Sequence, residues 1–206
     1  MSEAGTWDRL AGRYDRIVGA FDQSYPELRA LLQRDFAGRE HVLEVAAGTG
    51  QFSLDLAAVV GRLTATDVSP EMVRRLEARV AERGVANATA RCMSAYALEV
   101  EGAAPDGIVC ANALHVMESP RRALAEFRRA LRPGGRLAVP TFCHGIDWRR
   151  RLLSRLMSLV SPFRAYTRFS PESLRAMVAE AGFATREPVL LPGRFPIAYV
   201  VGDLPG

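Results

Sequence analysis

Three observations predict an α/β fold, a doubly wound and mostly parallel sheet of about seven strands with helical caps and a closing β-hairpin. From residue 39 to 142, short β-rich runs alternate with longer helical ones. The connections are long enough to carry the chain across to a neighbouring parallel strand. Glycine and proline punctuate the borders between runs. Sheets of this kind bind ligands beyond the carboxyl ends of their strands, beside the switch point. The loops after Val45, Thr66 and Ala111 are therefore expected to converge.

Each element has its own signal. His41-Val42-Leu43-Glu44-Val45 is an apolar strand interrupted only by Glu44, and a glycine turn leads into a helix over about 51–60. Residues 62–66 read as the second strand. In the helix that follows, Ser69 can N-cap, Pro70 takes the first helical position and Glu71 complements the dipole. Met72, Val73, Leu76 and Val80 recur there at helical spacing, and Gly84 ends it. Residues 87–93 are a weaker third strand and 107–111 a fourth. Ser119-Pro120 opens a helix with Leu124, Phe127 and Leu131 on one face, and Pro133-Gly134-Gly135 turns it into a fifth strand at 136–142.

The flanks complete a single domain. Residues 1–37 form an N-terminal helical cap with two helices over 6–36, 38–143 the core, 144–182 a helical lid, and 183–206 the closing hairpin. Within that region, 146–160 is a basic amphipathic helix with Leu152, Leu153, Leu156, Met157 and Val160 on one face, open to three readings: a lid over an apolar acceptor, a membrane-surface helix, or an ordinary packed helix. A second helix runs over 171–181, between Ser170 and Gly182. The hairpin pairs 185–191 with 195–201 around Pro192-Gly193.

Composition describes a soluble globular chain, 49% hydrophobic and 24% charged. No basic stretch followed by an apolar core stands at the N-terminus, and the apolar stretches at 108–117 and 152–160 are too short or too polar to span a bilayer. A cytoplasmic protein is expected. The net charge is +4 and every basic residue is arginine, which fits a GC-rich coding sequence. The excess is spread without a basic stripe or reading motif, so no nucleic-acid partner is expected. Cys92, Cys110 and Cys143 lie far apart in strands or strand ends and are read as buried small hydrophobes. No ligand cluster suggests a metal.

The chemistry concentrates in Leu43-Glu44-Val45-Ala46-Ala47-Gly48-Thr49-Gly50, where a strand enters a helix. Glycines let the backbone approach a ligand, and the helix start offers unpaired N–H groups. Asp67 stands at the end of the next strand, where a carboxylate can take both hydroxyls of a ribose. Glu44, just before the turn, is poorly suited to a pyrophosphate and suits a cation such as the ammonium of a methionine moiety. Structural readings stand beside these: Glu44 as a satisfied strand-end carboxylate, and Asp67 as a turn residue near Ser69.

Taken together, the chain resembles the class I, Rossmann-like S-adenosylmethionine-dependent methyltransferases, especially the branch of the ubiquinone/menaquinone-biosynthesis enzymes. The resemblance runs from Trp7 to Phe142 and rests on LEVAAGTG, ATDVSPEMV, DGIVCANALHV, SPRRALAEFRRALRPGGRL and the N-terminal Arg13-Tyr14-Asp15. It implies S-adenosylmethionine as cofactor and S-adenosylhomocysteine as product. Gly48 and Gly50, with Ala46 and Thr49, would shape the cofactor loop, and Glu44 would serve the methionine end. Asp67 would bind the ribose, with Val68 and Met72 flanking the adenine. Asn112 and Ala113 would lie under the methionine portion, and Tyr14 could close over its carboxylate. Two positions depart from the pattern. Ala46 replaces a common glycine, and Met93-Ser94-Ala95 stands where Gly-Asp-Ala is frequent, leaving Ser94, beside Ala95, to meet the adenine amino group as an uncharged acceptor.

The acceptor is expected to be a small molecule or lipid-like, with at most peripheral membrane contact; a homodimer is compatible with the sequence. If a hydroxyl or acidic carbon is methylated, a general base is needed, and His115 after strand four and His144 after strand five are the candidates. His115 can also be a packed histidine between apolar neighbours. Phe142, Trp148, Phe163, Tyr166 and Phe169 hint at an apolar or aromatic acceptor. Two rival classes stay open: a non-catalytic protein that binds the same cofactor, and a nicotinamide-dependent oxidoreductase, against which Glu44, the Pro-Gly-Gly turn and the closing hairpin speak.

Overall fold

Hydrophobic strands and one-faced helices assemble into a layered sheet in the computed structural model, which describes residues 3–19, 24–100, 104–143, 165–193 and 196–206, with 3 and 13–19 by backbone alone. Among these residues the helices are α1 (Glu3–Gly19), α2 (Tyr25–Phe36), α3 (Ser53–Ala57), α4 (Pro70–Glu82), α5 (Pro120–Ala130) and α6 (Pro171–Glu180). The strands are β1 (His41–Val45), β2 (Arg62–Asp67), β3 (Ala88–Cys92), β4 (Gly107–Val109), β5 (Arg136–Ala138), β6 (Thr141–Phe142), β7 (Ala184–Thr185), β8 (Val189–Leu191), β9 (Ile197–Tyr199) and β10 (Val201–Asp203). The helix expected at 146–160, with His144, Trp148 and Phe163, lies outside the described residues.

The main sheet has seven strands in the order β3-β2-β1-β4-β5-β10-β7. The first five run parallel, and β10 is antiparallel to both β5 and β7. The chain leaves β1 in one direction for β2 and β3 and in the other for β4 and β5, so the switch point falls between β1 and β4. Both faces are covered, as parallel sheets require. Leu43, Val45 and Ile108 pack with Leu124 and Phe127 of α5, while Val42 and Val109 pack with Leu32 of α2, Leu56 of α3 and Leu76 of α4. Strand alternation therefore turns Glu44, two residues after Val42, toward the α3 side.

The helix starts follow their signals. Ser69 accepts from the Met72 N–H at 3.1 Å, with Pro70 at the first position. Ser170 and Ser173 form a reciprocal capping box on α6. Ser119 precedes α5 without a side-chain bond to it.

Two elements differ from expectation. The helix predicted over 51–60 is reduced to the five residues of α3, flanked by turns. The strand predicted over 136–142 divides into β5 and β6, because Pro140 has no N–H to give to a ladder. Its partner divides opposite, into β10 and β9 around Val200. Ala138 faces Val201 and Thr141 faces Ala198, so one antiparallel register runs through both halves. The predicted hairpin is thus shared: β8 and β9 pair with Leu191 opposite Ile197 in a small sheet ordered β6-β9-β8, while β10 inserts between β5 and β7.

Candidate active site

The loops that follow β1, β2 and β4 converge as the strand order requires, on a cleft with about 620 Å³ of empty space including its mouth. Of the residues singled out by sequence, Ala46, Gly48, Asp67, Val68, Met72, Ser94, Ala95, Asn112 and Ala113 line it. Glu44, Thr49, Gly50 and His115 do not. Trp7, Met93, Tyr96, Ala111, Val116 and Met117 line it as well and were not anticipated. The signal available for Tyr96 was its place directly after Ser94-Ala95; for Trp7 it was an aromatic residue in a helix already expected to cover the sheet.

Asp67 is the centre of the polar wall. Its Oδ2 accepts from the Gly48 N–H and its Oδ1 from the Ser69 N–H, each at 2.9 Å. Burial lifts the carboxyl above its ordinary value, the N–H groups of Ser69, Gly48 and Val68 pull it back, and the charge of Asp8 adds to the rise. The turn role and the place in the cleft are therefore held by the same side chain. The glycine loop is tied to β2 by the Ala47 N–H on the Thr66 carbonyl at 2.8 Å.

The two strand ends beside the switch point carry left-handed backbone without glycine: Ala46 has φ +56° and Asn112 φ +53°. Such residues cost on the order of 1 kcal/mol each and cluster at functional sites. Asn112 donates through Nδ2 to the Tyr25 hydroxyl at 3.3 Å, and its Oδ1 is buried without a hydrogen bond among the described residues. Gly50 serves packing: at φ +88°, a Cβ there would stand 2.4 Å from Leu76 Cδ1.

Glu44 lies behind the cleft, 1% exposed, accepting a bond from the Ser53 hydroxyl. Burial pushes its carboxyl up to about 8; the Ser53 bond opposes the rise, and the charges of Asp55 and Asp67 add to it. Ser94 accepts from the Tyr96 N–H at 3.2 Å. Tyr96 accepts from the Ser119 N–H at 3.3 Å and carries the Arg122 guanidinium 5.2 Å above its ring.

His115 sits in a 3-10 turn (Leu114–Val116), 7% exposed, edge-on to Phe142 with ring centroids 5.6 Å apart. Its neighbours Ala113 and Val116 face the cleft and it does not. Of the aromatic residues expected at the mouth, Phe169 is core at 1% exposure, and Tyr166 is exposed with its hydroxyl on Glu118 at 3.1 Å. Tyr14 lies in α1, where its side chain is outside the described set. Cys110 and Cys143 are buried, but Cys92, at the end of the outermost strand, is exposed and is no core residue.

Comparison with known proteins matches this architecture. A methyltransferase-domain family model covers residues 42–135. The chain is 30% identical over 169 residues to the ubiquinone/menaquinone biosynthesis C-methyltransferase UbiE of Syntrophotalea carbinolica, covering 76% of this chain and 70% of that one. It is 33% identical over 195 residues to the demethylmenaquinone methyltransferase of Thermus thermophilus, covering 81% and 83%. The solved structure of the N-methyltransferase NodS from Bradyrhizobium japonicum with S-adenosyl-L-homocysteine superposes with a TM-score of 0.78 at 19% identity, covering 98% of each chain. The chain belongs to the class I, Rossmann-like S-adenosylmethionine-dependent methyltransferases, in the branch of the ubiquinone/menaquinone-biosynthesis enzymes.

Proposed function

We propose that the cleft between β1, β2 and β4 holds S-adenosylmethionine and presents its methyl group to a small, lipid-like acceptor. The observation that carries this reading is Asp67, a buried strand-end carboxylate in the cleft wall beside the glycine turn. Its oxygens suit the paired hydroxyls of a ribose. Val68, Met72 and Ala95 supply an apolar seat for the adenine, and the Ser94 hydroxyl is the polar group at that end. Ala46, Gly48 and Thr49 shape the turn, with Gly50 packing it onto α4. Asn112, with a buried oxygen lacking a partner, and Ala113 lie toward the methionine end. Glu44, held largely neutral by its surroundings, gains a counter-ion when an ammonium arrives. Tyr14 would close the site from α1.

The cofactor supplies a methyl group already activated on a sulfonium, transferred by in-line displacement. The protein's share is then approach, alignment and exclusion of water. His115, whose ring lies edge-on to Phe142 and not in the cleft wall, and His144 remain the candidate bases for an acceptor that needs one. A lipid-like acceptor is favoured by the two relatives, whose names refer to ubiquinone/menaquinone biosynthesis and to demethylmenaquinone. Among the described residues no helix is long and apolar enough to cross a membrane.

Calorimetry with S-adenosylmethionine and S-adenosylhomocysteine tests the site. Binding near the micromolar scale, about −8 kcal/mol, should fall below detection in Asp67→Ala. No binding by the wild type would overturn the reading. Methyl transfer from labelled cofactor to demethylmenaquinone analogues, set against polar amines and catechols, tests the acceptor class; equal turnover of all three would remove the lipid-like preference.

A further inference from the structure

We propose that α1 is part of the cofactor site, with Trp7 forming a wall of its nucleoside end and Asp8 acting as the positioning residue that holds Trp7 there. The inference rests on the S-adenosylmethionine reading of the cleft and deepens it. Trp7 is half-buried and lines the cleft together with Val68, Met72 and Tyr96. An indole beside methionine side chains and a tyrosine ring offers a flat, polarizable surface suited to a purine face.

What brings Trp7 to that place is its neighbour. Asp8 Oδ1 accepts from the Ser69 hydroxyl at 2.5 Å and from the Glu71 N–H at 3.3 Å. Ser69 is the N-cap of α4 and Glu71 lies in its first turn, where the unpaired N–H groups and the helix dipole favour a carboxylate. Ser69 is also the residue whose own N–H binds Asp67. One serine therefore connects the carboxylate assigned to the ribose with the carboxylate that latches α1. Leu10 and Ala11 bury the next turn of α1, and Gly12 lies beside the Arg75 guanidinium of α4. The docking face of α1 is thus built around α4, and α4 starts at the cleft.

This arrangement makes the nucleoside wall conditional on the latch. Loosening Asp8 should leave the sheet intact, since no strand depends on it, while removing Trp7 from the cleft. The chain has two tryptophans, Trp7 and Trp148, so a Trp148→Phe background isolates the Trp7 fluorescence. In that background S-adenosylhomocysteine should change Trp7 emission on binding. Trp7→Ala should weaken binding about tenfold, the scale of losing one base–aromatic contact, and Trp7→Phe should restore most of it. Asp8→Ala should keep the far-ultraviolet dichroism of the wild type, abolish the ligand-induced emission change and speed dissociation. Asp8→Asn, which retains an acceptor oxygen, should fall between.

Unchanged affinity and dissociation rate in Trp7→Ala and Asp8→Ala, with Asp67→Ala still abolishing binding, would overturn this inference and leave the cofactor site standing. Failure of the wild type to bind would remove both.

Discussion

Buried or part-buried carboxylates lie at both ends of the central strands, and the two ends treat them oppositely. At the amino ends, Asp106 accepts from the backbone N–H groups of Glu40 and His41 at 3.0 and 3.1 Å and from Arg132 at 3.2 Å. Burial alone would lift the Asp35 carboxyl, but bonds from Arg34 and Tyr199 hold it below its ordinary value. Asp203 is held low in the same way, by Arg136 and Arg186. At the carboxyl ends no arginine pairs with Glu44 or Asp67 among the described residues, and burial drives both upward. The first end is built for stability. The second keeps its charge requirements open, and an incoming ligand can meet them.

Asp106→Ala should show the largest effect on the first end. It strands two backbone donors and breaks the Arg132 pair at a side chain 4% exposed. The expected loss is about 3 kcal/mol, read by urea unfolding, with cofactor affinity of the folded fraction unchanged. An equal loss of affinity would show that the two ends are not separable.

Glu44→Gln should act in the opposite direction. The folded-state carboxyl is raised from 4.5 to about 8, so the folded protein bears no penalty below the unfolded value and loses stability as pH climbs through that window. The glutamine variant should therefore match the wild type at pH 4.5 and exceed it by roughly 1–3 kcal/mol at pH 9. A cationic methionine end should draw the carboxyl back to its charged form. Binding at pH 7 should then release a proton, seen as a dependence of calorimetric enthalpy on buffer ionisation heat, and the variant should lose that dependence. Binding of wild type without proton release would place the ammonium elsewhere.

The same contrast explains what was legible in the sequence. The doubly wound class was legible from the alternation of runs, because parallel strands buried on both faces leave largely apolar segments such as His41–Val45, whereas the strand order needed the structure. Asp67 and Gly48 were legible because strand-end position and backbone chemistry are local. Trp7 and Tyr96 were not, since their place in the cleft depends on how α1 docks and on a tyrosine reaching the Ser119 N–H from 23 residues away. The break at Pro140 was readable in principle, since proline cannot donate. That its partner strand would break opposite, at Val200, needed the register. His115 illustrates the limit from the other side: a strand-end histidine has the right address, yet the 3-10 turn aims its ring at Phe142.

Ala46 offers the smallest and most local test. Sequence alone treats alanine here as an added methyl that a ligand must tolerate, whereas the structure places the cost in the backbone, at φ +56°. An L-residue in that region crowds its Cβ against the following carbonyl, and glycine does not. Ala46→Gly should then stabilise the protein by up to about 1 kcal/mol, less the extra freedom that glycine gives the unfolded chain. A melting-temperature rise of a few degrees at most, with unchanged S-adenosylhomocysteine affinity, would show that the strain belongs to the turn itself. Weaker binding in the more stable variant would show instead that the methyl group, at a position lining the cleft, contacts the ligand and is kept for that contact.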